Sequence, residues 1–449
     1  MGVPRAGLVT AVTQARASRL LDDVVRYNPW HYPRVRRLRR RFDSMDGPDR
    51  RATCGRLLRQ SLSWAAQTAY GRDAGAGLQL ADWPLLDKPV LRDRSSAFRR
   101  RGLLALPAST GGTTGLPLKL WRSPRCIAAE RALLDHHLDA ACGTDFRRAR
   151  MAVLRGDNVK DPSDHRPPFG RVDQGGRRLL LSAQHLGPAT VAWYVDTLRA
   201  FAPDLLWIYP STGEALVRLL DDAGLALRLP AVLSASELLS ETARACIAGT
   251  LGAKVIDYYG LAERVALAFS VAPGEYRFDP VYGTVELLPV EAPAPAGLSV
   301  AEIVASGHWN DAMPLVRYRT GDRIVYPASY DAAALADVAT GARPFRGVLG
   351  RTGDVLISPR GEVLVGIDHL PREVENLLRL QVIQQQADAV EVRVLPAPGW
   401  GPADRAQLEH NLRAKLPDDM TVRIVETTTL RRSAAGKTPF VIRAPELQP

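Results

Sequence analysis

The feature that most constrains the fold is a regular alternation of apolar runs and helical stretches between residues 105 and about 260. The apolar runs are short enough for strands, and segments with helical periodicity separate several of them. The runs are MAVLRG from residue 151, DLLWIYP from 204, AVLSAS from 231 and KVIDYYG from 254, and the helical segments include STGEALVRLLDDAG and SETARACIAGTLG. This order predicts βαβ units arranged on a mostly parallel sheet.

The segments on either side differ from this central region. Residues 1 to about 100 are typical of helices, and residues 279 to 328 contain β-rich segments. A last segment begins near Gly347, with predicted helices at PREVENLLRL and ADRAQLEHNLRAKL and predicted strands at AVEVRVLP and TVRIVE. We therefore predict an α/β (α+β multidomain) protein. Its N-terminal domain, 1–347, has mostly parallel sheets flanked by helices plus a β-rich subdomain, and a small mobile α+β C-terminal domain covers 348–449.

The composition limits the class of protein. With 449 residues, 46% of them hydrophobic, the chain can bury a large core. It has no run of about 18 uncharged apolar residues, and its N-terminus lacks the continuous apolar segment of a secretory signal. The four cysteines form no CxxC pair, which favours neither a disulfide framework nor a zinc site: Cys54, Cys126, Cys142 and Cys246. We predict a cytoplasmic protein with no membrane partner.

The net charge of +11 raises the question of a nucleic-acid partner. The run RVRRLRRRF at 34 to 42 concentrates several of these positive charges in one segment. Val35, Leu38 and Phe42 recur in that run at helical spacing, which predicts an amphipathic helix with its arginines mostly in solvent. No helix-turn-helix, RRM or zinc-finger pattern accompanies the charge. We expect no nucleic-acid partner, and the charge would equally suit a phosphate-bearing small molecule or an acidic carrier protein.

A loop rich in glycine and threonine lies within ALPASTGGTTGLPLKLWRS, residues 105 to 123. Strand-like runs flank it, which predicts a β-hairpin. Glycine lets the backbone approach an anion closely, and threonine hydroxyls add donors, so the tip could hold phosphate or be an ordinary flexible turn. It is not a Walker loop, and neither is the Gly-Lys-Thr at 436–438, because Arg431 stands where that motif requires its first glycine.

Five motifs follow one another at domain-scale spacing: TGGTTGLP at 110–117, YYGLAER at 258–264, YRTGD at 318–322, GRTGD at 350–354 and RRSAAGK at 431–437. Together they resemble the ordered signature of the AMP-forming adenylate-forming superfamily of acyl-CoA synthetases and adenylation enzymes. Within it, PLLDKPVLRD and NDAMPLVRYRTGD are similar to the phenylacetate-CoA ligase branch, which includes capsule-biosynthesis relatives.

The resemblance implies a nucleotide site built from several motifs. The first loop would hold the β- and γ-phosphates of ATP through Thr110, Gly111, Gly112, Thr113, Thr114 and Gly115. Tyr259 would lie against adenine, Asp257 near its edge, and Asp322 would accept the ribose hydroxyls. The remaining implied nucleotide-binding residues are Ser236, Glu237, Tyr258, Gly260 and Arg351.

The resemblance also implies the catalytic residues. Glu263 would be the Mg²⁺ ligand, and Lys437 would bridge the substrate carboxylate and the α-phosphate as they approach. Gly353 and Asp354 would form the hinge about which the C-terminal domain rotates.

Two positions depart from the pattern. Ala262 stands where the family usually has a serine or threonine that donates to the α-phosphate, and Arg264 is a candidate replacement donor. Gly353 stands where the hinge commonly carries aspartate or lysine.

The expected function is ATP-dependent activation of a carboxylic acid, aryl or arylacetic by resemblance, followed by transfer to a thiol. The implied cofactors are ATP, Mg²⁺ and coenzyme A, and a homodimer is possible in this branch. Alternatives are transfer to a carrier protein or an amine, or a degenerate nucleotide-binding relative. Candidates for the wall of the acyl pocket are Trp207, Tyr209 and residues 262–269.

Overall fold

The computed structural model describes residues 24–75, 77–109, 118–291, 294, 296–349, 355–364, 367, 370–431 and 439–447. Helices and strands are both numerous in these ranges. The α-helices are α1 His31–Ser44, α2 Gly47–Ala66, α3 Ala69–Ala74, α4 Lys88–Asp93, α5 Pro124–Cys142, α6 Val191–Phe201, α7 Pro210–Asp222, α8 Glu241–Leu251, α9 Ala332–Ala339 and α10 Pro402–Arg413.

The described ranges contain twenty strands, numbered in chain order. The first ten are β1 Leu106–Ser109, β2 Lys119–Arg122, β3 Met151–Arg155, β4 Gly170–Asp173, β5 Arg178–Ser182, β6 Leu205–Ile208, β7 Ala231–Ala235, β8 Lys254–Gly260, β9 Leu267–Ala272 and β10 Glu275–Phe278. The others are β11 Gly283–Val290, β12 Leu298–Gly307, β13 Tyr318–Pro327, β14 Gly347–Leu349, β15 Leu356–Ile357, β16 Val363–Leu364, β17 Leu377–Gln386, β18 Ala389–Pro396, β19 Thr421–Glu426 and β20 Val441–Arg443.

The central sheet has eight strands in the order β10-β9-β8-β7-β6-β3-β5-β4. Its five middle strands are parallel, and antiparallel strands close both edges. This confirms the predicted α/β fold class. Strand β3 lies between β5 and β6, so the chain order reverses there, and open parallel sheets bind ligands beyond the carboxyl ends of strands at such a point.

Local sequence signals explain where the flanking helices begin and end. Ser123 accepts a hydrogen bond from the amide of Cys126 at the start of α5, and Gly143 ends that helix with a left-handed conformation. Helix α8 is capped in the same way, with Ser240 at its start and Gly252 at its end. The serine and glycine thus fix the length of each helix independently of its packing.

Both faces of the central sheet are covered. Helices α6, α7 and α8 pack on one face around residues such as Leu206, Leu216 and Ile247. Helices α1 and α5 pack on the other, around Val153 and Leu233. Near the β8–β10 edge, a third core joins this sheet to the hairpin β1–β2 and to the four-stranded antiparallel sheet β11-β12-β13-β14.

The C-terminal part contains a sheet of order β19-β18-β17-β20 with α10 packed on it. One prediction for this region is wrong: PREVENLLRL is a series of turns that leads into strand β17, not a helix. Strand β17 pairs with β18 on one side and β20 on the other, and these hydrogen bonds outweigh the local helical pattern. The division into domains 1–347 and 348–449 stays a prediction.

Helix α1 is amphipathic as predicted, but two of its arginines are not in solvent. Arg36 is buried and pairs with Asp139 of α5. The Arg39 Nε atom lies 3.0 Å from Oδ2 of Asp279, which also contacts Nε2 of His137 at 2.6 Å. Arg39 and His137 hold the pKa of buried Asp279 below its usual range despite the opposing effect of burial. The basic run therefore also anchors α1 to the core.

All four cysteines are free. Among the described residues, none of the helices combines the length and apolar character needed to cross a membrane.

We expect acid to destabilise the fold through His308, which is fully buried and contacts Val281 O and Thr284 Oγ1. Burial lowers its pKa from 6.5 to about 4, so below pH 6.5 the unfolded chain binds a proton that the folded chain does not. The free energy of unfolding should fall as the pH falls, by about 3 kcal/mol at pH 4 from this group.

Urea unfolding between pH 7 and 4.5 measures this dependence. The variant His308→Gln should show a smaller decrease than the wild type, while the matched variant of exposed His410, His410→Gln, should follow the wild type. Parallel curves for all three proteins would contradict the assignment.

Candidate functional site

Several of the predicted site residues that the structure describes lie at the carboxyl ends of the parallel strands. Ser236 and Glu237 follow β7 directly, and Tyr259 and Gly260 end β8. Arg155 and Tyr209 mark the same edge on β3 and β6. The strand order thus collects segments from distant parts of the chain at one edge of the sheet.

Tyr259 and Asp322 meet across the gap between the central sheet and the antiparallel sheet. The Tyr259 hydroxyl donates to Asp322 Oδ2 at 2.9 Å, although the residues are 63 positions apart in the sequence. Burial and the neighbouring Asp322 carboxylate raise the pKa of Tyr259 well above its usual value, so its hydroxyl keeps its proton. Asp322 itself is only half-buried. The motifs YYGLAER and YRTGD are therefore in direct contact.

Glu263 and Tyr318 form a second bond of the same kind. The Tyr318 hydroxyl donates to Glu263 Oε1 at 2.8 Å across 55 positions of sequence. Tyr318 is fully buried, and Glu263 is 6% exposed. Because both tyrosine–carboxylate pairs join the end of β8 to β13, they fix the spacing of the two carboxylates.

Arginines surround the segment that contains Ala262. Arg122, at the end of β2, donates through Nε and Nη2 to the Ala262 carbonyl oxygen at 3.2 and 2.7 Å. Arg264, the candidate replacement donor, forms an ion pair with Glu130 of α5. Burial lowers the pKa of Arg264 to about 10. Its charge is thus directed towards α5, and the departure at Ala262 is not compensated through Arg264.

Two further predicted residues of β8, Asp257 and Tyr258, point to opposite faces of the sheet. Asp257 is 5% exposed, and its Oδ2 accepts a hydrogen bond from the Tyr276 hydroxyl at 2.5 Å. Burial raises the pKa of Asp257, and the bond from Tyr276 opposes that rise. Tyr258 instead packs beside Phe269 and Trp207, with ring centroids 5.7 and 6.3 Å away.

The position of Gly260 leaves no room for a side chain. A Cβ atom at this position would lie 2.8 Å from Cε2 of Tyr258, closer than side-chain atoms normally approach. The glycine lets β8 end against the Tyr258 ring.

The turn after β7 is unusual. Ser236 has a φ of +74°, a left-handed conformation that a serine rarely adopts and that marks functional segments in many proteins. The Glu237 carboxylate accepts hydrogen bonds from the backbone N and the Oγ of Ser211, both at 3.0 Å. Glu237 thus lies at the N-terminus of α7, where a carboxylate is favoured.

Several predicted residues lie outside the described residues. They are Thr110, Gly111, Gly112, Thr113, Thr114, Gly115, Arg351, Gly353, Asp354 and Lys437. Strands β1 and β2, which flank the first of these segments, pair antiparallel as the hairpin prediction requires.

The donor set fits a magnesium ion held mainly by its substrate. Within the described ranges, no three histidine, cysteine, aspartate or glutamate side chains form a group that could hold a metal. Mg²⁺ is commonly held by one or two carboxylates together with substrate phosphates, and Glu263 offers one oriented carboxylate. The site therefore suits Mg²⁺ bound together with a nucleotide.

Sequence reasoning missed two residues of this site. Tyr318 is the first residue of the motif YRTGD, and its place in the motif could have marked it as a site residue. Its contact with Glu263 cannot be deduced from the spacing of the two residues. Arg122 is the last residue of the hairpin strand β2 and belongs to none of the five motifs.

The fold and site together define an α/β protein with two carboxylates and two aromatic residues at the carboxyl edge of its parallel sheet.

No protein-family profile matches the chain. Protein CapK of Staphylococcus aureus is 21% identical over 339 residues, which is 74% of this chain and 70% of CapK. A phenylacetate-coenzyme A ligase of Aromatoleum evansii is 22% identical over 413 residues, 84% of this chain and 88% of that ligase.

Another phenylacetate-coenzyme A ligase, from Pseudomonas putida, is 24% identical over 361 residues, 75% of this chain and 73% of the ligase. A solved structure of a 2-hydroxyisobutyryl-CoA ligase in complex with R3-HIB-AMP superposes with a TM-score of 0.48 and 16% identity, covering 90% of this chain and 91% of that chain. The chain is thus similar, at 21–24% identity, to two phenylacetate-coenzyme A ligases and to CapK.

We expect the variant Tyr318→Phe to destabilise the protein by about 1–3 kcal/mol, because it leaves the buried Glu263 carboxylate without its donor. Urea unfolding measures the change. Tyr326→Phe is the matched control on the same strand, since no hydrogen bond of the Tyr326 side chain is found in the described part of the chain. Equal effects of the two substitutions would show that the Tyr318–Glu263 bond contributes nothing specific.

Proposed function

We propose that this protein activates a carboxylic acid with ATP and transfers the acyl group to the thiol of coenzyme A. In the first half-reaction a carboxylate oxygen bonds to the α-phosphorus of ATP while the bond to pyrophosphate breaks. In the second, the thiol sulfur bonds to the acyl carbon, AMP leaves, and the thiol proton passes to solvent. The relatives named phenylacetate-coenzyme A ligases support this reaction class.

The observation that carries the proposal is the paired contact of Tyr259 with Asp322 and of Tyr318 with Glu263. It brings two motifs of the superfamily signature together at the edge of the sheet where such folds bind ligands. Asp322 would accept the ribose hydroxyls, with Tyr259 against adenine. Glu263 would hold Mg²⁺, which supplies positive charge to the phosphates.

The remaining roles rest on the sequence motifs. The loop from Thr110 to Gly115 would hold the β- and γ-phosphates, with Ser236, Asp257, Tyr258, Gly260 and Arg351 around the nucleotide. Lys437 would bring the carboxylate and the α-phosphate together, carried by a mobile C-terminal domain, 348–449, that turns at Gly353 and Asp354. Glu237 would act at a distance, by holding the start of α7 through Ser211.

An aryl or arylacetic acid is the substrate class that the phenylacetate-CoA ligase relatives favour. A carrier-protein thiol or an amine is the alternative acceptor, and the basic run on α1 would suit an acidic carrier. We also propose a cytoplasmic location, where ATP and coenzyme A are available, and a homodimer as the assembly to test.

The test of the function is ATP–pyrophosphate exchange with benzoic, arylacetic, fatty and amino acids, followed by addition of coenzyme A. Acid-dependent exchange with thioester formation is expected. The variant Lys437→Ala should abolish exchange yet leave thioester formation from a supplied acyl-adenylate largely intact. Equal loss of both half-reactions would contradict its role, and no exchange with any acid would overturn the function.

A second prediction concerns ATP binding. Asp322→Ala should weaken ATP binding about tenfold or more, since it removes a charged hydrogen-bond acceptor. Tyr259→Phe, which keeps the ring and removes the hydroxyl that bonds Asp322, should have a smaller effect. Calorimetric titration with a non-hydrolysable ATP analogue measures both, and unchanged affinity for Asp322→Ala would remove this residue from the ribose site.

A further inference from the structure

An arginine-lined cavity of about 530 Å³ lies on the α5 face of the central sheet. Its charged lining consists of Arg26, Arg131, Arg147, Arg177 and Arg178, and no aspartate or glutamate is among the described residues that line it. Its volume is within the range of small-molecule sites. Asp135 pairs with Arg131, and the Asp173 carboxylate acts on Arg178, but five guanidinium groups in one lining still favour an anionic ligand.

Polar groups in this lining lack partners. The Nε atoms of Arg131 and Arg178 and the Nε1 atom of Trp207 are buried, and none has a hydrogen-bond partner in the part of the chain that the structure describes. The Arg131 side chain is only 10% exposed, and its other nitrogen contact is Asp135 at 2.6 Å. Buried donors normally have partners, so three unpaired donors in one cavity indicate that a ligand supplies the acceptors.

The rest of the lining is apolar. Phe146, Met151 and the Trp207 ring provide surfaces on which an aromatic or aliphatic group can pack. The cavity thus combines an apolar wall with cationic groups, which matches a ligand that has a hydrophobic body and a negatively charged end.

Trp207 connects this cavity to the candidate site. Its ring lines the cavity and lies 6.3 Å from the Tyr258 ring at the end of β8. The guanidinium of Arg155, the last residue of β3, lies over the Trp207 ring, 4.2 Å from its centroid. An acid whose reacting carboxylate lies beyond the carboxyl ends of the strands could therefore extend past Trp207 into the cavity.

We propose that the cavity binds a second anionic group of the acid substrate, so that the preferred acid is a dianion such as an aromatic dicarboxylic acid. The inference rests on the proposed adenylation function and adds its substrate class. Arg178 and Arg131 hold the remote carboxylate, while Phe146 and Trp207 contact the body of the substrate. The simple monoanionic arylacetic acids are then poorer substrates than their carboxylated analogues.

The experiment compares matched acids in ATP–pyrophosphate exchange: benzoate with terephthalate, and phenylacetate with 4-carboxyphenylacetate. We expect kcat/KM to be about tenfold or more higher for each dianion, and the ratio of dianion to monoanion kcat/KM to fall by most of that factor in the variant Arg178→Gln. Arg148→Gln, whose side chain is 87% exposed and outside the cavity, is the matched control and should behave as the wild type.

Direct binding provides a readout that does not depend on activity. Calorimetric titration with terephthalate should show binding to the wild type and to Arg148→Gln, and weaker binding to Arg178→Gln. If Arg178→Gln does not fold, as judged by circular dichroism, Arg147→Gln replaces it, because Arg147 lines the cavity from an exposed position.

The outcomes separate the two proposals. Exchange that is equal or better with monoanions overturns the inference and leaves the adenylation function standing. A raised KM for coenzyme A in Arg178→Gln, with unchanged acid preference, assigns the cavity to the acceptor and also overturns the inference. No exchange with any acid overturns the proposed function, and the terephthalate titration then decides by itself whether the cavity binds dianions.

Discussion

Two tyrosine–carboxylate hydrogen bonds tie the end of β8 to β13, and the arrangement of the candidate site depends on them. Apolar contacts between the central and antiparallel sheets are non-directional and would tolerate small displacements. A buried carboxylate does not tolerate them, because losing its donor costs far more than the bond gains. The Tyr318–Glu263 bond at 2.8 Å therefore sets the position of one sheet against the other, and the Tyr259–Asp322 bond at 2.9 Å holds the same alignment closer to solvent.

The sequence predicted most of the elements, because their signals are local. Short apolar runs predicted the strands β3, β6, β7 and β8, and helical periodicity predicted the segments that form α7 and α8. The helix prediction for PREVENLLRL was wrong because strands elsewhere in the chain determine the structure of this segment. Strand β17 is held between β18 and β20, and Pro371 begins a series of turns instead of a helix. Strand order, which brings β3 between β5 and β6, is likewise absent from local pattern.

The candidate site could be predicted only in part, for the same reason. Motifs marked Tyr259, Glu263 and Asp322, yet no spacing rule shows that Glu263 meets Tyr318 or that Glu237 meets Ser211. Arg264 ends the motif YYGLAER and was a reasonable candidate to face phosphate, but folding brings Glu130 of α5 beside it. The arginines of the cavity come from separate segments, and their sequence positions show only that they are charged.

The contacts of the hairpin β15–β16 bear on how far the C-terminal part can turn. Val355, Ile357 and Val363 pack into the core formed by α6, α7 and α8, while the Ile357 amide donates to Gln384 Oε1 of β17 at 3.0 Å. A rotation at Gly353 and Asp354 would carry the hairpin away from that core, at a cost of about 1.5–3 kcal/mol for each apolar side chain exposed. Because a ligand shifts a conformational equilibrium only by its difference in affinity for the two states, the acyl-adenylate and thiol would have to supply a comparable preference for the rotated state. If the proposed hinge is correct, glycine at 353 would lower the backbone resistance to rotation but would recover none of this packing energy, so the hairpin and the ligands would govern the extent of rotation.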